Sequence, residues 1–584
     1  MLSDEEGLDS ILPDGAEILD VMMSVFSGVK DEFGKEELPP SPLTFDRVCG
    51  GPSPQSTASL FKLPTELMDG ILQHVPSDSL APLALVNRDC LQWARSRQFA
   101  SIHLDYGQPS LDLIQRLLDE VSGLDSSTSS IMPLPRLGLC IRRITVATNP
   151  GWIEYRHGVE LSEEFNELSK ETRSKLMVDA SSAFYGKYIP SIQRILDPVV
   201  LPHLELLDWK DKIPLPQSFF ETLATSHIKY LKIFRVALNK QFDIATQLPS
   251  ASRRWPLRTL HLELTRNCQT SKTISGSPLC ASILRLCSAT LENLSLSSLD
   301  FRDPYTFTTS TVSALPRFPN LRRLSIGILH IDDSSMLQGL VGDGLRYLEV
   351  GRRWQAIYSD FFENRGTIPN LDTFIWNGIT PQEPPYSFLH ANPQISMLAL
   401  PSSLPSTTLD TKIVPLLENF RNLTSLRLVW AEKSISESAL QGLCTLKTLK
   451  QVCLSAGTQI GWRHDWLIDH GCLRRCLRTL PCLERLALSR DSYNSALGTE
   501  MYYSEAEHLT ASQSRKWERR HRQRMLDEAN TYARVIPRLE WIYLGQIPMG
   551  IVKGDQTGSK RVRVLFQERD DLWTFLRKMF EGHT

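Results

Sequence analysis

Histidine and cysteine side chains are concentrated in the segment HGCLRRCLRTLPC, which begins at His470. It contains His470, Cys472, Cys476 and Cys482, and a spacing of four residues places Cys472 and Cys476 on one face of a helix. A structural zinc site needs four ligands in tetrahedral geometry, and its usual paired C-x-x-C spacing is missing here. We therefore interpret these side chains as part of a packed core and predict no metal site.

A glycine-rich stretch, GLVGDG, begins at Gly339. A phosphate-binding loop opens the N-terminus of a helix, and in its best-known form it ends in Lys-Ser or Lys-Thr. GLVGDG instead precedes a predicted strand, so we interpret it as a turn. The sequence lacks G-x-S-x-G, H-E-x-x-H and protein-kinase motifs, and its 13 histidines are dispersed. We predict a protein that is not an enzyme and needs no cofactor.

The segment SRKWERRHRQR, residues 514–524, holds six basic residues and one acidic residue. On a helix these charges point in all directions, so we interpret the segment as a solvated insertion helix. A nuclear-import signal or a contact for an acidic partner is the alternative. Direct nucleic-acid recognition is not favoured, because a chain with a formal net charge of -2 lacks the broad basic surface that it needs.

The overall composition is that of a globular protein with more than one folding unit. The chain has 584 residues, of which 41% are hydrophobic and 22% are charged. It has no run of about 18 apolar residues, and its acidic start, MLSDEEGLDS, lacks the features of a signal peptide. We expect an intracellular protein of the cytoplasm or nucleus that has no membrane partner. Its 11 cysteines are best explained as small buried residues.

Residues 1–57 have the composition of a disordered tail. The first 40 residues carry 11 acidic and only 2 basic side chains, and Pro- and Ser-rich sequence follows. Within this tail, AEILDVMMSVFSGV places four apolar residues at helical spacing: Ile18, Met22, Val25 and Val29. This segment is either a transient helix or a docking helix for a partner.

The segment LFKLPTELMDGILQHVPSDSLAPLALVNRDCLQWARSRQF, residues 60–99, predicts two or three short helices. Leu63-Pro64 starts the first helix, PSDS interrupts it, and Ser77 or Ser79 can cap the second. Leu67, Ile71 and Val75 lie four residues apart, with Met68 and Leu72 beside them, which makes a wide apolar stripe. A unit of this size needs outside support, so its apolar surface packs on the rest of the chain or on another protein.

This segment resembles an F-box, the short module that docks on the Skp-type adaptor of cullin–RING ubiquitin ligases, and flanking stretches resemble the fungal branch of that family. The resemblance defines an F-box at residues 58–105 and implies that certain residues contact the adaptor, although some of them must hold the helices together. These residues are Leu63, Pro64, Ile71, Leu72, Leu80, Leu83 and Val86. The family often has Asp at the position of Ser79 and Trp near Cys90.

A degenerate repeat fills most of the chain after residue 200. A unit Φ-P-x-L-x-x-Φ, in which Φ is apolar, occurs as LPHLELL, FPNLRRL, IPNLDTF, LPCLERL and IPRLEWI. A looser L-x-x-L-x-L core recurs every 24 to 34 residues between positions 257 and 483. Its last three residues alternate like a short strand, and each unit leaves an apolar face that only the next unit can cover. Stacked units therefore predict a parallel sheet.

The spacing resembles that of leucine-rich repeats, although Thr265, Leu299, Ala431 and Gly457 replace the usual Asn or Cys after the strand. We thus expect a mixed α/β fold, in which a small all-helical F-box module precedes an irregular leucine-rich-repeat-like solenoid over residues 106–584. Helical insertions are predicted near 149–200 and 490–535. A C-terminal strand and amphipathic helix, with Leu572, Phe575, Leu576 and Phe580 inward, would cap the solenoid.

The residue between the last two leucines of each core should face the open side of the sheet. This places in one column His261, Ser295, Ser325, Glu349, Ile375, Arg427, Ala487 and Tyr543. We predict a target-binding surface made of His261, Glu349, Arg427 and Tyr543 with the strand neighbours Arg258, Arg323, Tyr347 and Trp541. The alternative is that targets bind the insertions or the loops.

These features predict the substrate-recognition subunit of an SCF-type (Skp–cullin–F-box) ubiquitin ligase. In this hypothesis the helices bind the Skp-type adaptor, and through it the cullin–RING ligase, while the repeats bind an unknown target protein. The alternative is a protein-interaction scaffold without a ligase, in which the F-box-like helices only cap the repeats.

Overall fold

A computed structural model describes most of the chain from Ser59 to Leu565. The described residues are 59–122, 136–148, 172, 186–211, 215–236, 238, 240–244, 254–264, 276–298, 306–307, 315–327, 329–352, 356–378, 384–457, 466, 468–488, 511–545, 547–553 and 560–565. The predicted disordered tail at 1–57, most of the insertion at 149–200 and the predicted C-terminal helix lie outside them.

The chain alternates between helices and strands. The helices are α1 Thr65–Gln73, α2 Ser77–Ala84, α3 Arg88–Gln98, α4 Gln108–Ser122, α5 Gln217–Thr225, α6 Ser277–Cys287, α7 Ser335–Leu340, α8 Ala356–Arg365, α9 Tyr386–Ala391, α10 (Ser406–Thr408, the π-helical turn Leu409–Ile413 and Val414–Leu417), α11 Glu437–Leu443, α12 His470–Leu477 and α13 Ala511–Val535. Residues 186–195 are also helical, and Ser59–Lys62 and Leu137–Leu139 form short 3₁₀ helices.

The strands are β1 Ser101–Leu104, β2 Arg143–Val146, β3 Leu206–Trp209, β4 Tyr230–Val236, β5 Thr259–Leu264, β6 Asn293–Ser298, β7 Thr306–Phe307, β8 Arg323–Ile326, β9 His330–Ile331, β10 Tyr347–Arg352, β11 Thr373–Gly378, β12 Met397–Leu404, β13 Ser425–Trp430, β14 Gln451–Ser455, β15 Arg485–Leu488, β16 Trp541–Leu544, β17 Ile547–Lys553 and β18 Lys560–Val564.

The chain divides into two compact units, each built on a parallel sheet. The first unit contains Glu36–Leu321 and Ile328–Leu340 and has strands β1 to β6 paired in chain order, all parallel. The second unit contains Arg322–Gly327 and Val341–Thr584, and there β8 and β10 to β16 pair in the same way. The prediction of a mixed α/β fold with a parallel sheet made of repeated units is confirmed.

The three leucine positions of the repeat core form the interior of each unit. In the repeat that begins at Leu345, the side chains of Leu345, Leu348 and Val350 have no exposed surface. The equivalent residues of the other repeats are also buried, including Leu257, Leu260, Leu262, Leu371, Phe374, Trp376, Leu423, Leu426, Leu428, Leu539, Ile542 and Leu544. Burying an aliphatic side chain of this size contributes roughly 1.5–3 kcal/mol, so each repeat is held mainly by these three positions.

The Φ-P-x-L motif forms a tight turn that leads into each strand. In all five copies the amide of the leucine donates a hydrogen bond to the carbonyl of the apolar residue three positions earlier, for example Leu371 to Ile368 at 3.0 Å. Proline is favoured at the second position of such turns because its fixed φ suits them. In each copy the strand begins two residues after this leucine, so the turn leads directly into the strand.

The far end of the second unit departs from the repeat pattern. After β16 the chain reverses at Gly545, whose φ is +53°, and β17 and β18 continue the sheet in antiparallel pairing. The long helix α13 buries Met525, Ala529 and Tyr532, and Asn530 accepts a hydrogen bond from the amide of Val562 in β18 at 3.3 Å. The predicted helical insertion near 490–535 thus includes α13, which closes this end together with the hairpin.

Among the described helices, none combines the length and the apolar character that crossing a membrane requires.

Candidate functional site

The interpretation of the histidine and cysteine cluster as packed core holds only in part, because His470 is buried whereas Cys472, Cys476 and Cys482 are half-buried. The Nδ1 atom of His470 lies 3.1 Å from the hydroxyl of Tyr532 in α13, and both side chains are buried. Asp469 caps α12 by accepting a hydrogen bond from the amide of Cys472 at 2.8 Å. Within the described part of the chain, no group of three or more His, Cys, Asp or Glu side chains has the geometry of a metal site.

Helices α1, α2 and α3 have a small core of their own. The buried side chains of Met68, Leu72 and Trp93 pack together, and Val75 and Leu83 lie against them. This core uses one side of the wide apolar stripe that the sequence predicts for α1. The other side of that stripe therefore remains available for another contact.

The ends of these helices differ in part from the sequence prediction. Pro64 is the N-cap of α1 and lies just outside its first turn. Pro76 is the N-cap of α2, and Ser77 is its first helical residue, so the prediction that Ser77 or Ser79 caps this helix is wrong. The side chain of Asn87 caps α3, accepting a hydrogen bond from the amide of Cys90 at 2.8 Å.

The seven predicted adaptor-contacting residues fall into two groups. Leu63, Pro64, Ile71 and Val86 are exposed, with Ile71 at 43% and Val86 at 67%. Leu72 and Leu80 are buried, and Leu83 is half-buried against the small core. The structure thereby separates the residues that can meet a partner from those that hold the helices together, a division that the sequence left open.

Three further leucines extend the exposed apolar surface. They are Leu60 in the short 3₁₀ helix, Leu67 in α1 and Leu85 after α2, and Leu85 is 87% exposed. We call the set Leu60, Leu63, Leu67, Ile71, Leu85 and Val86 the helical apolar surface. Sequence reasoning missed Leu60 and Leu85, although each is a large apolar residue close to a matched position, Leu60 before Leu63 and Leu85 beside Val86.

The three helices are joined directly to the first repeat strand. Phe99, the C-cap of α3, packs against the buried Cys140, and the carbonyl of Ala100 accepts hydrogen bonds from the amides of Arg142 and Arg143, both at 3.0 Å. Strand β1 then begins at Ser101 and pairs with β2. The helical segment is thus anchored on the sheet edge while its apolar surface stays exposed.

The residues of the predicted column form a row of paired positions in each unit, and most of them are buried. In the first unit Lys232, His261 and Ser295 occupy equivalent positions on β4, β5 and β6. In the second unit the row on β8 and β10 to β16 consists of Ser325, Glu349, Ile375, Ala399, Arg427, Cys453, Ala487 and Tyr543.

A second row lies two residues earlier on the same strands of the second unit. It consists of Arg323, Tyr347, Thr373, Met397, Ser425, Gln451, Arg485 and Trp541. We call these two rows the open face of the second unit. Arg258 was predicted as a neighbour of the column, but it lies just before β5, at the N-terminal end of that strand, with its guanidinium 3.7 Å from the carboxylate of Glu292. Arg258 lies outside the strand because it is the second residue of its repeat core. Arg323, Tyr347 and Trp541 are each the third residue of their cores, where the strand begins.

The open face of the second unit carries a connected polar group at one end. The hydroxyls of Ser325 and Tyr347 donate hydrogen bonds to the same carboxylate oxygen of Glu349, at 2.9 and 3.2 Å. The guanidinium of Arg323 lies 4.4 Å from the centre of the Tyr347 ring, within the range of a cation–π contact. These contacts fix the Glu349 carboxylate, which is only 4% exposed.

The rest of this face is apolar and buried. Seven side chains form one cluster, with Trp541 packed against it: Tyr347, Ile375, Met397, Ala399, Cys453, Ala487 and Tyr543. We call these seven residues the apolar stripe. Of the eight predicted target-binding residues, His261, Glu349, Tyr347 and Tyr543 are buried, Arg323, Arg427 and Trp541 are half-buried, and Arg258 is exposed.

The predicted basic segment belongs to the first half of α13. Lys516, Arg519 and Arg520 are exposed, whereas His521 bonds through Nε2 to the carbonyl of Gly545 at 2.9 Å. The exposed charges agree with the interpretation as a solvated helix face. Their role in nuclear import or in a contact with an acidic partner stays a prediction.

Comparison with known proteins adds little to this description. No protein-family model matches the chain, and no curated protein matches it. One similar solved structure is that of a leucine-rich-repeat (LRR) protein from Leptospira interrogans, which is 14% identical. The match covers 74% of this chain and 98% of that one, with a TM-score of 0.26.

Proposed function

We propose that this protein is the substrate-recognition subunit of an SCF-type ubiquitin ligase. Helices α1 to α3 bind a Skp-type adaptor, which links the chain to a cullin–RING ligase, and the repeat units bind a target protein. The protein itself performs no catalysis, since ubiquitin transfer belongs to the other subunits of such a complex.

The observation that carries this proposal is the exposure of the helical apolar surface. Six large aliphatic side chains face solvent within a segment of 27 residues, Leu60 to Val86, although the same segment also forms a buried core. Large aliphatic side chains that are concentrated on the surface of one short segment, and not scattered singly, typically mark an interaction site. The resemblance to the F-box names the partner class for this surface.

The alternative function is a protein-interaction scaffold in which the helices only cap the repeats. The direct connection of α3 to β1 suits a cap, and the contact between Phe99 and Cys140 belongs to it. A cap needs only the residues that face the sheet, however, and it leaves the exposure of Ile71 and Val86 unexplained. The outward-facing residues therefore favour the ligase subunit.

The test is a binding experiment with purified full-length protein and a purified Skp-type adaptor. We expect a stable 1:1 complex on size-exclusion chromatography, to which a cullin and its RING subunit then add. A scaffold with a capping module would elute separately from the adaptor at micromolar concentrations. That outcome would contradict the ligase proposal and leave the scaffold function.

A further inference from the structure

Three cysteine side chains meet where the helices α11 and α12 of consecutive repeats pack together. Cys444 is the C-cap of α11, and Cys472 and Cys476 lie four residues apart in α12. The thiol of Cys444 interacts with the thiol of Cys476, which interacts in turn with that of Cys472. All three side chains are half-buried, so each keeps some contact with solvent. We call these three residues the thiol cluster.

The repeat geometry turns the side chain of Cys476 toward the preceding repeat. When consecutive repeats are aligned on their buried leucines Leu443 and Leu477, Cys476 takes the position of Gly442. A Cβ added at Gly442 would overlap Cγ1 of Val414 in α10, the helix of the repeat before it. A side chain at this position therefore points at the preceding helix, and for Cys476 that helix is α11.

Lys447 ties the two helices together beside the thiol cluster. Its ammonium group donates hydrogen bonds to the carbonyl of Cys444 at 2.7 Å and to the carbonyl of Thr479 at 3.1 Å. The hydroxyl of Thr479 donates a hydrogen bond to the carbonyl of Cys476 at 2.8 Å. The C-terminal ends of α11 and α12 are thus held close together at the place where Cys444 and Cys476 meet.

The geometry favours Cys444 and Cys476 over the other pairs of the thiol cluster as partners in a disulfide. Helical residues four apart have Cβ atoms about 5–6 Å apart, whereas a disulfide joins Cβ atoms about 3.5–4.5 Å apart. A bond between Cys472 and Cys476 would therefore distort α12. A bond from Cys444 to Cys476 instead joins two packed helices and leaves both of them intact.

We propose that Cys444 and Cys476 are a site of reversible oxidation and form a disulfide with each other when the protein meets a low-molecular-weight disulfide such as glutathione disulfide. The thiolate of one cysteine attacks a sulfur of the oxidant, whose S–S bond breaks and releases the first glutathione thiolate. The thiolate of the other cysteine then attacks the protein sulfur of this mixed disulfide and releases the second. The two cysteines lose two electrons, and their two protons end on the released glutathione.

The surroundings of the two thiols make this disulfide slow to form and slow to break. Burial raises the pKa of the Cys444 and Cys476 thiols above the ordinary cysteine value, although the charge of Lys447 favours the thiolate of Cys444. Oxidation needs a thiolate, so it proceeds gradually. A thiol of high pKa is also a poor leaving group, so the finished disulfide resists reduction by weak reductants.

The experiment incubates the full-length protein with excess glutathione disulfide, blocks the remaining thiols with iodoacetamide and maps the tryptic peptides by mass spectrometry. Trypsin separates the cysteines of this region because four basic residues follow or lie between them: Lys447, Arg474, Arg475 and Arg478. We expect the peptides SISESALQGLCTLK and CLR, which contain Cys444 and Cys476, to appear as one linked species. Dithiothreitol should abolish this species.

Two variants and hydrogen exchange complete the test. Cys476→Ser should abolish the linked species, whereas Cys482→Ser, which changes another half-buried cysteine of the same region, should leave it unchanged. Because a crosslink restricts local opening, peptides from α11 and α12 should exchange their amide hydrogens at least about tenfold more slowly after oxidation.

Three outcomes would overturn the proposal. Cys444 could stay free or carry only glutathione after prolonged incubation, or it could be linked to Cys472 instead of Cys476. A linked species whose peptides exchange as fast as in the reduced protein would show that the sulfurs meet only in a locally opened state, not in the folded repeats.

Discussion

Ile71 and Leu72 are consecutive residues of α1, yet 43% of the Ile71 side chain is exposed and only 6% of Leu72. Leu72 packs with Met68 and Trp93 in the small helical core, whereas Ile71 belongs to the helical apolar surface. Successive helical positions differ by about 100° in direction, so one turn of α1 supplies both a core and an interaction surface. We therefore expect substitutions of Leu72 to change the stability of the helices and substitutions of Ile71 to change the binding of a partner.

Leu72→Ala should destabilise the three helices without acting on a partner directly. Removing a buried leucine side chain to Cβ costs about 2–5 kcal/mol. In the free protein, peptides from α1 and α3 should exchange their amide hydrogens faster. The increase in rate should match the factor that this loss of free energy gives in the opening equilibrium. Ile71→Ala is the matched control and should leave exchange nearly unchanged. Equal acceleration by both substitutions would contradict the assignment of Leu72 to the core.

Substitutions on the open face of the second unit should reduce target capture. The double variant Arg427→Glu and Tyr543→Ala reverses one charge and removes one aromatic side chain from the same row. Quantitative proteomics of proteins that co-purify with the chain should show at least a tenfold loss of the specific targets. Arg258→Glu, at the exposed N-terminal end of β5, is the control. An unchanged set of partners in unchanged amounts would move the target site to the insertions or loops.

Asp211 should make the stability of the first unit fall as pH rises. Burial raises the pKa of this carboxyl above its ordinary value, although the amide and hydroxyl of Thr148, at 2.7 and 2.6 Å, favour its charged form. Tyr188 and His103 are the titratable groups that interact with it. Between the unfolded and the folded pKa, the native state binds more protons than the unfolded chain, so the free energy of unfolding decreases with increasing pH.

Asp211→Asn removes this proton uptake and keeps hydrogen-bonding groups near Thr148. The melting temperature of Asp211→Asn relative to the wild type should therefore increase as the pH rises above the ordinary pKa of an aspartate, about 4. Comparing the two proteins cancels the titration of the other carboxyls. A relative gain for the wild type over the same pH range would show that the ionised carboxylate is stabilising and that the sign is wrong.

Gly545→Ala should destabilise the closed end of the second unit. Its φ of +53° disfavours any side chain, and an added Cβ would overlap Sδ of Met525 in α13. Strain and overpacking together should lower the free energy of unfolding by about 1–3 kcal/mol. Hydrogen exchange over α13 and β16 measures the effect. Gly342→Ala is the control, since nothing lies within 4 Å of its added Cβ and it should be neutral.

The sequence predicts the repeat core well because burial restricts residue type at fixed intervals. Leucine or another apolar residue recurs at all three positions of the core, and the Φ-P-x-L turn marks each strand entrance. Strand β17 was missed, because IPMGIVK lacks the leucine pattern that identifies the parallel strands, whereas β18 coincides with the predicted C-terminal strand. The antiparallel pairing of β16 and β17 follows from the reversal of the chain at Gly545. A single glycine in the sequence does not indicate such a reversal.

The candidate interaction surfaces could be predicted only in part. The alternation of side chains along a strand correctly placed the row from Ser325 to Tyr543. The outward and inward sides of α1 could not be separated, because Leu67, Met68, Ile71 and Leu72 are all apolar and their roles depend on where α2 and α3 pack. Whether the side chains of the open face are buried likewise depends on tertiary packing. The residue pattern of a single strand does not show it.

Adaptor affinity of matched surface variants tests the central claim most directly. Val86→Asp lies in the helical apolar surface, where Val86 is 67% exposed, and Val199→Asp makes the same change at a residue of the first unit that is 60% exposed. Losing one apolar contact of this size costs roughly 1.5–3 kcal/mol, which corresponds to at least tenfold in Kd. Isothermal titration calorimetry with a purified Skp-type adaptor should show this loss for Val86→Asp and for Ile71→Asp, and none for Val199→Asp. Equal affinity of all three variants and the wild type, or no adaptor binding by any of them, would contradict the account.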